Sequence, residues 1–587
     1  MAAHIPETMH CDVLVIGSGA AGLSAAITAA FHGLKVIVAE KANYFGGTSA
    51  WSGGWLWIPC NPLAVRAGIA EDIEAPRRYL RSELGNRAAD PRLDVFLENG
   101  PEMVEFFERE TAVEWIDGNK IPDFHETAGR ALGGRSVSAK PYDGRALGDF
   151  IAKLRPPLDV ISLAGMGISG GDDIAHFFNA TRKPASALHV LRRLARHARD
   201  LALHGRSMQL VNGNALIARL LRSALDLGVD LLVRAPAETL TQELGRVSGA
   251  VLRIGGNQHR VIARRGVVLA AGGFPHDRIR IGEMFDHAVG GTGHYSAAPE
   301  ENSGDGIRLG QSVGARFETE LAAPAAWAPV SLVPDGQGGV KRFPHLVERA
   351  KPGFIAVDRN GQRFVNEADS YHDFMQALFD RTPKGETPHA WLICDHRAQR
   401  RYGLGWSKPF PFPLTPYFRN GYLRRGRTLA DLAEACGLPT GALERTLRDF
   451  NRHAKFGVDP EFERGASAYN RFQGAAWHTP NASLSPLETA PFYAVRIVPG
   501  SLGTFAGLNT TPAGQVVDNT QAPIEGLYAI GNDMTSVMGG HYPSGGITLG
   551  PGMTFGFVVG RILAGQEVSG ISRTNNSIGQ TAEQQEE

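Results

Sequence analysis

Cysteine is scarce in this chain. Only four occur among 587 residues, Cys11, Cys60, Cys394 and Cys436, and they are scattered. No CxxC pair exists, which excludes a zinc ribbon and a thioredoxin-type redox disulfide. The absence of CxxCH excludes an attached c-type haem. Neither sign of charge is in excess, with Lys plus Arg and Asp plus Glu at 60 each. A balanced chain carries no electrostatic footprint for nucleic acid or for an acidic partner. The 19 histidines include no HExxH or comparable spacing, so no metal is expected. Long apolar runs are missing too. The run from Asp12 to Ile16 ends in glycines and is too short to cross a membrane. The N-terminus has no basic region or cleavage site. The expectation is a cytoplasmic protein without a transmembrane segment, with contact at a membrane surface left open. What is plentiful is glycine, 71 residues, which suits tight turns and close approach of backbone to a ligand. The length exceeds one ordinary core, so two domains are the default.

The first forty residues are the most ordered in pattern. Cys11 to Ile16 reads as a buried strand, and Gly17-Ser18-Gly19-Ala20-Ala21-Gly22 follows at once. A helix-forming run of small residues comes next, then a strand from Lys35 to Ala39 that ends at Glu40. Strand, GxGxxG, helix, strand and acid stand in the order of a dinucleotide-binding unit. Gly17 permits the tight turn. Gly19, with Ala20 and Ala21, brings backbone to a pyrophosphate at the helix N-terminus. Gly22 lets helix and strand pack closely, and Glu40 is placed for an adenosine ribose. GxGxxG alone is a weak signal; the complete unit is a strong one.

A second glycine-rich loop follows, Lys41-Ala42-Asn43-Tyr44-Phe45-Gly46-Gly47-Thr48-Ser49-Ala50-Trp51-Ser52-Gly53-Gly54. It resembles the FAD-binding loop of the fumarate reductase and 3-ketosteroid dehydrogenase superfamily. The resemblance implies FAD as cofactor, with Lys41, Gly47, Thr48, Ser49, Gly53 and Gly54 along it. Members that attach FAD covalently have a histidine before the threonine. Gly47 stands there in this chain, so the flavin is expected to be non-covalent. Trp51, Trp55 and Trp57 are candidates for walling the flavin, and ordinary core aromatics are the equal alternative.

Further signatures lie far along the chain. Gly228 to Val233 reads as a strand followed by Ala235-Pro236-Ala237, where the resemblance implies Ala237 backbone beside the adenine. Val267 to Leu269 runs into Ala270-Ala271-Gly272-Gly273, a return to the cofactor through Ala271 and Gly272. Gly526 to Ile530 is a buried strand ending at Gly531, with Asn532 implied on the ribityl chain or pyrophosphate. Thr548 and Leu549 open a helix whose N-terminus would stabilise negative charge on reduced flavin. FAD signatures at both ends predict an α/β fold with a discontinuous Rossmann-like FAD-binding domain, residues 1–290 and 490–573. An α+β catalytic cap, 291–489, is expected between them, and a loose polar tail over 574–587.

Two motifs carry the chemistry. Arg363-Phe364-Val365-Asn366-Glu367, followed by Tyr371, is similar to the superfamily's RFVNE…Y segment. Tyr542-Pro543-Ser544-Gly545-Gly546 is similar to the Tyr-Pro-x-x-Gly turn of the 3-ketosteroid dehydrogenases. In Δ1-dehydrogenases the first tyrosine abstracts a proton; the second binds the substrate ketone together with the glycine N–H. The resemblance covers nearly the whole chain and implies these roles for Tyr371, Tyr542 and Gly546. The physics agrees. Desaturation beside a ketone removes a proton from the α-carbon and a hydride from the β-carbon, the latter to flavin N5. The α-proton is too weakly acidic unless the carbonyl oxygen is polarised, and two donors on that oxygen do this. A phenol with a pKa of about 10 needs help to act as a base; His372 or a water chain is expected to give it.

The chain departs from the Δ1 pattern at Phe124, where a further tyrosine is usual, and His125 or Tyr295 is a possible replacement. Ser544 resembles instead the Δ4(5α)-dehydrogenases, where a serine assists the tyrosine. A cyclic ketone, a 3-ketosteroid or something smaller, is the implied substrate, with the electron acceptor (a quinone, or a dye in vitro) unassigned. Two rivals stand beside this reading. A fumarate-type ene-reductase would need an arginine where Tyr542 stands, and a non-catalytic flavoprotein would need neither tyrosine. Pro157 to Asn179 reads as a lid or a packed loop, and Ala185 to Arg199 as a basic amphipathic helix.

Overall fold

The computed structural model describes residues 6–571. The tail expected over 574–587 lies outside the described residues. The first of two large sheets has a parallel centre in the order Pro523–Ala529, Asn257–Leu269, Thr8–Ile16, Val36–Ala39, Asp230–Leu232. Val13, Leu14 and Val15 are completely buried, as a strand covered on both faces must be, which explains the unbroken apolar run. The helix Ala20–Phe31 crosses from the first strand to the second. The helix Leu549–Leu563, from the far end of the chain, packs against it. Glycines make this contact close. A Cβ on Gly556 would stand 2.5 Å from the Ala21 oxygen, and one on Gly560 2.7 Å from Thr28 Cβ. Glycine inside a helix costs about 0.5–1 kcal/mol, which the close packing offsets. Ser24 Oγ also donates to the Met553 oxygen at 2.7 Å. The two ends of the chain are thus joined around one core.

The second sheet is antiparallel, in the order Val340–Pro344, Ala325–Pro334, Phe492–Thr504, Ala390–Cys394, Phe354–Val357. The strand Phe492–Thr504 was expected on the FAD side of a boundary at 490. It lies instead in the middle of this second sheet, paired on both sides. A continuous apolar strand has the same pattern in either sheet, so the sequence does not distinguish them. A separate apolar core of Ile355, Val357, Ile393, Leu432, Leu443 and Leu447 holds the outer part together. No helix among the described residues is long and apolar enough to cross a membrane.

Candidate active site

The turn between the first strand and helix is shaped by glycine. Gly17 has φ +110°, and a Cβ there would stand 2.1 Å from the Ala270 oxygen. A Cβ on Gly22 would stand 2.2 Å from the Gly17 oxygen. Gly19 and Ala20 face Ser49, whose Oγ accepts from Ala20 N at 3.1 Å. Glu40 is buried and accepts from Ser18 Oγ at 2.6 Å and from Ala42 N at 2.8 Å. Lys41 is committed elsewhere: its Nζ donates to Ser303 Oγ at 2.8 Å and pairs with Asp305. Thr48 Oγ1 accepts from Asn302 Nδ2 at 2.9 Å.

Gly17, Ser18, Gly19, Ala20, Glu40, Lys41, Thr48 and Ser49 line one cavity of about 1610 Å³. Ala21, Gly47, Gly53, Gly54, Ala237, Ala271, Gly272, Gly531, Asn532, Thr548 and Leu549 are on the same wall, as are Tyr371, Tyr542 and Gly546. Gly22 lies beneath it and acts in packing. Ordinary ligand sites run to about 1000 Å³, so this one has room for a long cofactor and a second molecule. An extended dinucleotide fits the cradle. Side chains are missing where a pyrophosphate would pass, and the Thr548 and Leu549 main-chain N–H groups have no acceptor among the described residues.

Asp533 went unnoticed in the sequence. It is fully buried and accepts from Ala271 N at 2.5 Å and Gly273 N at 2.9 Å, which fixes the returning loop. Burial pushes its carboxyl up to about 6. The only signal was an acid one position beyond Asn532. Of the tryptophans, Trp51 and Trp55 line the cavity. Trp57 does not; it is buried against Phe96, with Nε1 on Asp123.

The two tyrosines meet at the cavity wall. Tyr371 Oη donates to Tyr542 Oη at 2.7 Å, with the rings edge to face at 5.1 Å. Tyr371 is the first residue of the helix Tyr371–Arg381, capped by Ser370 Oγ on Asp373 N at 3.1 Å. The loop before it is fixed by a buried ion network. Arg363 and Arg464 both hold Glu367, at 2.8 and 3.0 Å, and Arg363 also holds Asp459 at 2.8 Å. The Arg-Phe-Val-Asn-Glu motif is therefore scaffolding for Tyr371. The Tyr542 turn is tied by Tyr79 Oη on the Pro543 oxygen at 2.6 Å. Gly546 has φ +99°, and a Cβ there would stand 2.6 Å from the Trp55 oxygen. Its N–H has no acceptor among the described residues. Burial pushes Tyr542 up to about 12, and burial beside Tyr542 pushes Tyr371 well above the ordinary phenol value.

Several expectations about helpers need correction. His372 does not assist Tyr371. Its Nδ1 accepts from the Trp327 main-chain N–H at 3.2 Å, and burial lowers it to about 4. Adjacent residues on a helix point about 100° apart, which separates the two side chains. The hydrogen-bond partner of Tyr371 is Tyr542 itself. Ser544 faces the Asp123 carboxylate rather than the tyrosines. Tyr295 is not on the cavity wall. Phe124 stacks on Tyr542 at 5.8 Å and meets Tyr371 edge-on at 5.9 Å. It supplies shape and no proton. His125 bridges two elements, with Nδ1 at 2.5 Å from Glu83 and Nε2 at 2.9 Å from Asp373. Although burial opposes its charge, the two carboxylates raise it to about 10.

Cradle and cavity define a flavin-dependent oxidoreductase, and comparison with known proteins agrees. The family described as "FAD binding domain" matches residues 12–549. A 4-oxocyclohex-2-ene-1-carboxylate 5-dehydrogenase of Sinomonas cyclohexanicum is 39% identical over 563 residues, covering 95% of this chain and 94% of that one. A 3-oxosteroid 1-dehydrogenase of Mycolicibacterium smegmatis is 36% identical, covering 94% and 97%. The crystal structure of the 3-ketosteroid Δ1-dehydrogenase of Sterolibacterium denitrificans with 1,4-androstadiene-3,17-dione superposes with a TM-score of 0.87 at 34% identity, covering 95% of this chain and all of that one. The chain belongs to the FAD-binding-domain family that includes the 3-oxosteroid and 4-oxocyclohexenecarboxylate dehydrogenases.

Proposed function

We propose that this protein desaturates a ring ketone at the α,β position, and that Tyr371, Tyr542 and Gly546 do the work. The observation that carries the reading is the Tyr371–Tyr542 hydrogen bond of 2.7 Å on the wall of the cofactor cavity. Tyr542 accepts from Tyr371, so its own proton is free for a ketone oxygen. Accepting that bond also polarises it and makes it a better donor. The Gly546 N–H is the second donor on the same oxygen. Two fixed donors stabilise the enolate-like charge that develops as the α-proton leaves. Tyr371 takes that proton as its own passes along the hydrogen bond to Tyr542 and Tyr542 gives its proton to the ketone oxygen, so the enol forms without a free phenolate. FAD, when bound, supplies the acceptor for the hydride. The residues named along the cradle would hold it without a covalent bond, since Gly47 offers no attachment atom.

We read the first sheet as a Rossmann-like FAD-binding domain and the second as a catalytic cap that brings Tyr371 to the flavin. The boundary after the cap then falls beyond Thr504 rather than at 490. We further propose a cytoplasmic protein that touches membranes at the cavity mouth, where Ile161, Leu194, Phe410 and Phe472 are both exposed and on the wall. Co-sedimentation with anionic vesicles, lost in Phe410→Ser/Phe472→Ser, checks this. The function is tested by mixing the yellow protein anaerobically with steroid and monocyclic ketones. Loss of the oxidised-flavin band is expected. No bleaching by any ketone, with fumarate reduced from a reduced dye instead, would overturn it.

A further inference from the structure

Lys351 follows the short turn Glu348–Ala350 and lies on the wall of the same cavity. It is 7% exposed. Its Nζ donates to two main-chain carbonyls, of Gln473 and, at 2.6 Å, of Gly474. Its third N–H has no acceptor among the described residues. Nor does any carboxylate lie within the 4.0 Å ion-pair distance. The nearby Glu348 is turned to His345 Nδ1 at 2.5 Å. Burial lowers Lys351 only to about 8, so the ammonium persists at neutral pH. Glu348 favours the charge only from beyond ion-pair distance, and a buried cation without a direct partner is expensive, so such groups are normally paired.

The lysine is part of the wall that holds the ketone clamp. Phe124, stacked on Tyr542, meets Tyr469 at 4.4 Å. Tyr469 Oη accepts from Gln473 Nε2 at 2.6 Å, and Gln473 in turn holds Lys351 through its carbonyl. Two aromatic rings and one glutamine thus separate the clamp from the ammonium. A molecule seated with its ketone on Tyr542 can direct its far end to Lys351. Lys408 is also on the wall without an ion pair, but it is only half-buried and reaches Ser162 O at 3.3 Å.

Resting on the ring-ketone reading of the tyrosine clamp, we propose that Lys351 is a substrate-carboxylate anchor and that the substrate is a ring ketone carrying a carboxylate. A carboxylate completes the third hydrogen bond and neutralises the buried charge in one contact. A desolvated, charge-assisted contact of this kind discriminates strongly against a neutral isostere.

The test uses the FAD-loaded full chain and two probe pairs: 4-oxocyclohexanecarboxylate with its methyl ester, and a 3-oxosteroid side-chain acid with its methyl ester. In at least one pair the acid is expected to exceed the ester by about 100-fold in kcat/KM. Lys351→Met should reduce that ratio to below about threefold, and Lys351→Arg should retain most of it. Flavin content and Tm of each variant report folding. The two pairs separate a small acid from a steroid acid as the source of the carboxylate. Equal use of acid and ester in both pairs, or a ratio that survives Lys351→Met, overturns the anchor and leaves the ring-ketone reading standing. If no ketone bleaches the flavin, the ring-ketone reading fails, and calorimetry with cyclohexanecarboxylate judges the anchor alone. Binding to the wild type but not to Lys351→Met then supports it, and equal or absent binding refutes it.

Discussion

Tyr542→Phe removes one oxygen atom and touches two properties at once. The first is turnover. Loss of one donor from an oxyanion-type clamp costs about 10²–10³ in rate, roughly 2.7–4 kcal/mol. The Gly546 N–H remains, so activity should fall by that factor without vanishing. The second is stability. Tyr371 Oη donates to Tyr542 Oη at 2.7 Å, both side chains being buried. Without its acceptor, the Tyr371 hydroxyl is a buried unsatisfied donor, which costs about 1–3 kcal/mol. Removing both hydroxyls removes that penalty, so Tyr371→Phe/Tyr542→Phe should be more stable than Tyr542→Phe. Turnover should be sub-additive too, because residues acting as a unit lose most of their effect with the first change. Stopped-flow flavin reduction gives the rates, denaturant midpoints give the stabilities, and flavin absorbance gives the loading. Turnover of Tyr542→Phe within about threefold of wild type at full loading would refute the clamp. A double variant no more stable than Tyr542→Phe would refute the pairing.

Two further outcomes concern the scaffold. Glu367 is held down to about 2 by Arg363 and Arg464, against the opposing effect of burial. Glu367→Gln leaves Arg464 without its only ion-pair carboxylate among the described residues and should cost about 3–5 kcal/mol at neutral pH in denaturant unfolding. A depressed carboxyl stabilises fully above its ordinary value and loses that contribution as pH falls through the folded value, so the gap between wild type and variant should narrow from about pH 4.5 towards 2. His125 has the opposite sign. Its pKa is raised from 6.5 to about 10, so its contribution is complete below 6.5 and is lost as pH rises through 10. Part of the ring meets solvent, which limits the effect to about 1–2 kcal/mol. The Tm difference between wild type and His125→Leu should therefore be largest near pH 6 and shrink towards 10. A difference flat with pH would show that the Glu83–His125–Asp373 bridge carries no charge.

What could be read from the sequence was carried by short continuous motifs. The cofactor turn depends on Gly17 and Gly22, whose missing side chains are required by atoms within the same unit or one strand away, so the motif shows in the letters. The two tyrosine motifs were visible because each is a short continuous segment, although distant residues such as Tyr79 and Arg464 hold them in place. The residues whose roles went unread act across the fold. Asp533 serves a loop 260 residues upstream, His125 joins a helix 248 residues away, and Lys351 rests on carbonyls more than 120 residues downstream. None of these is flagged by composition or period, because a buried acid or lysine reads like any other until its partners are known. The same limit explains the strand Phe492–Thr504, whose apolar run is equally at home in either sheet. Phe124 makes the case most sharply. Read alone, it is a lost tyrosine and a gap in a proton path. In the folded chain it packs against Tyr371, Tyr469 and Tyr542 together. On the proposed reading its ring shields the clamp from water, which strengthens donors aimed at a ketone. On that reading the chemistry rests with two hydroxyls that bond each other, and among the described residues the proton of Tyr371 has only Tyr542 to pass to.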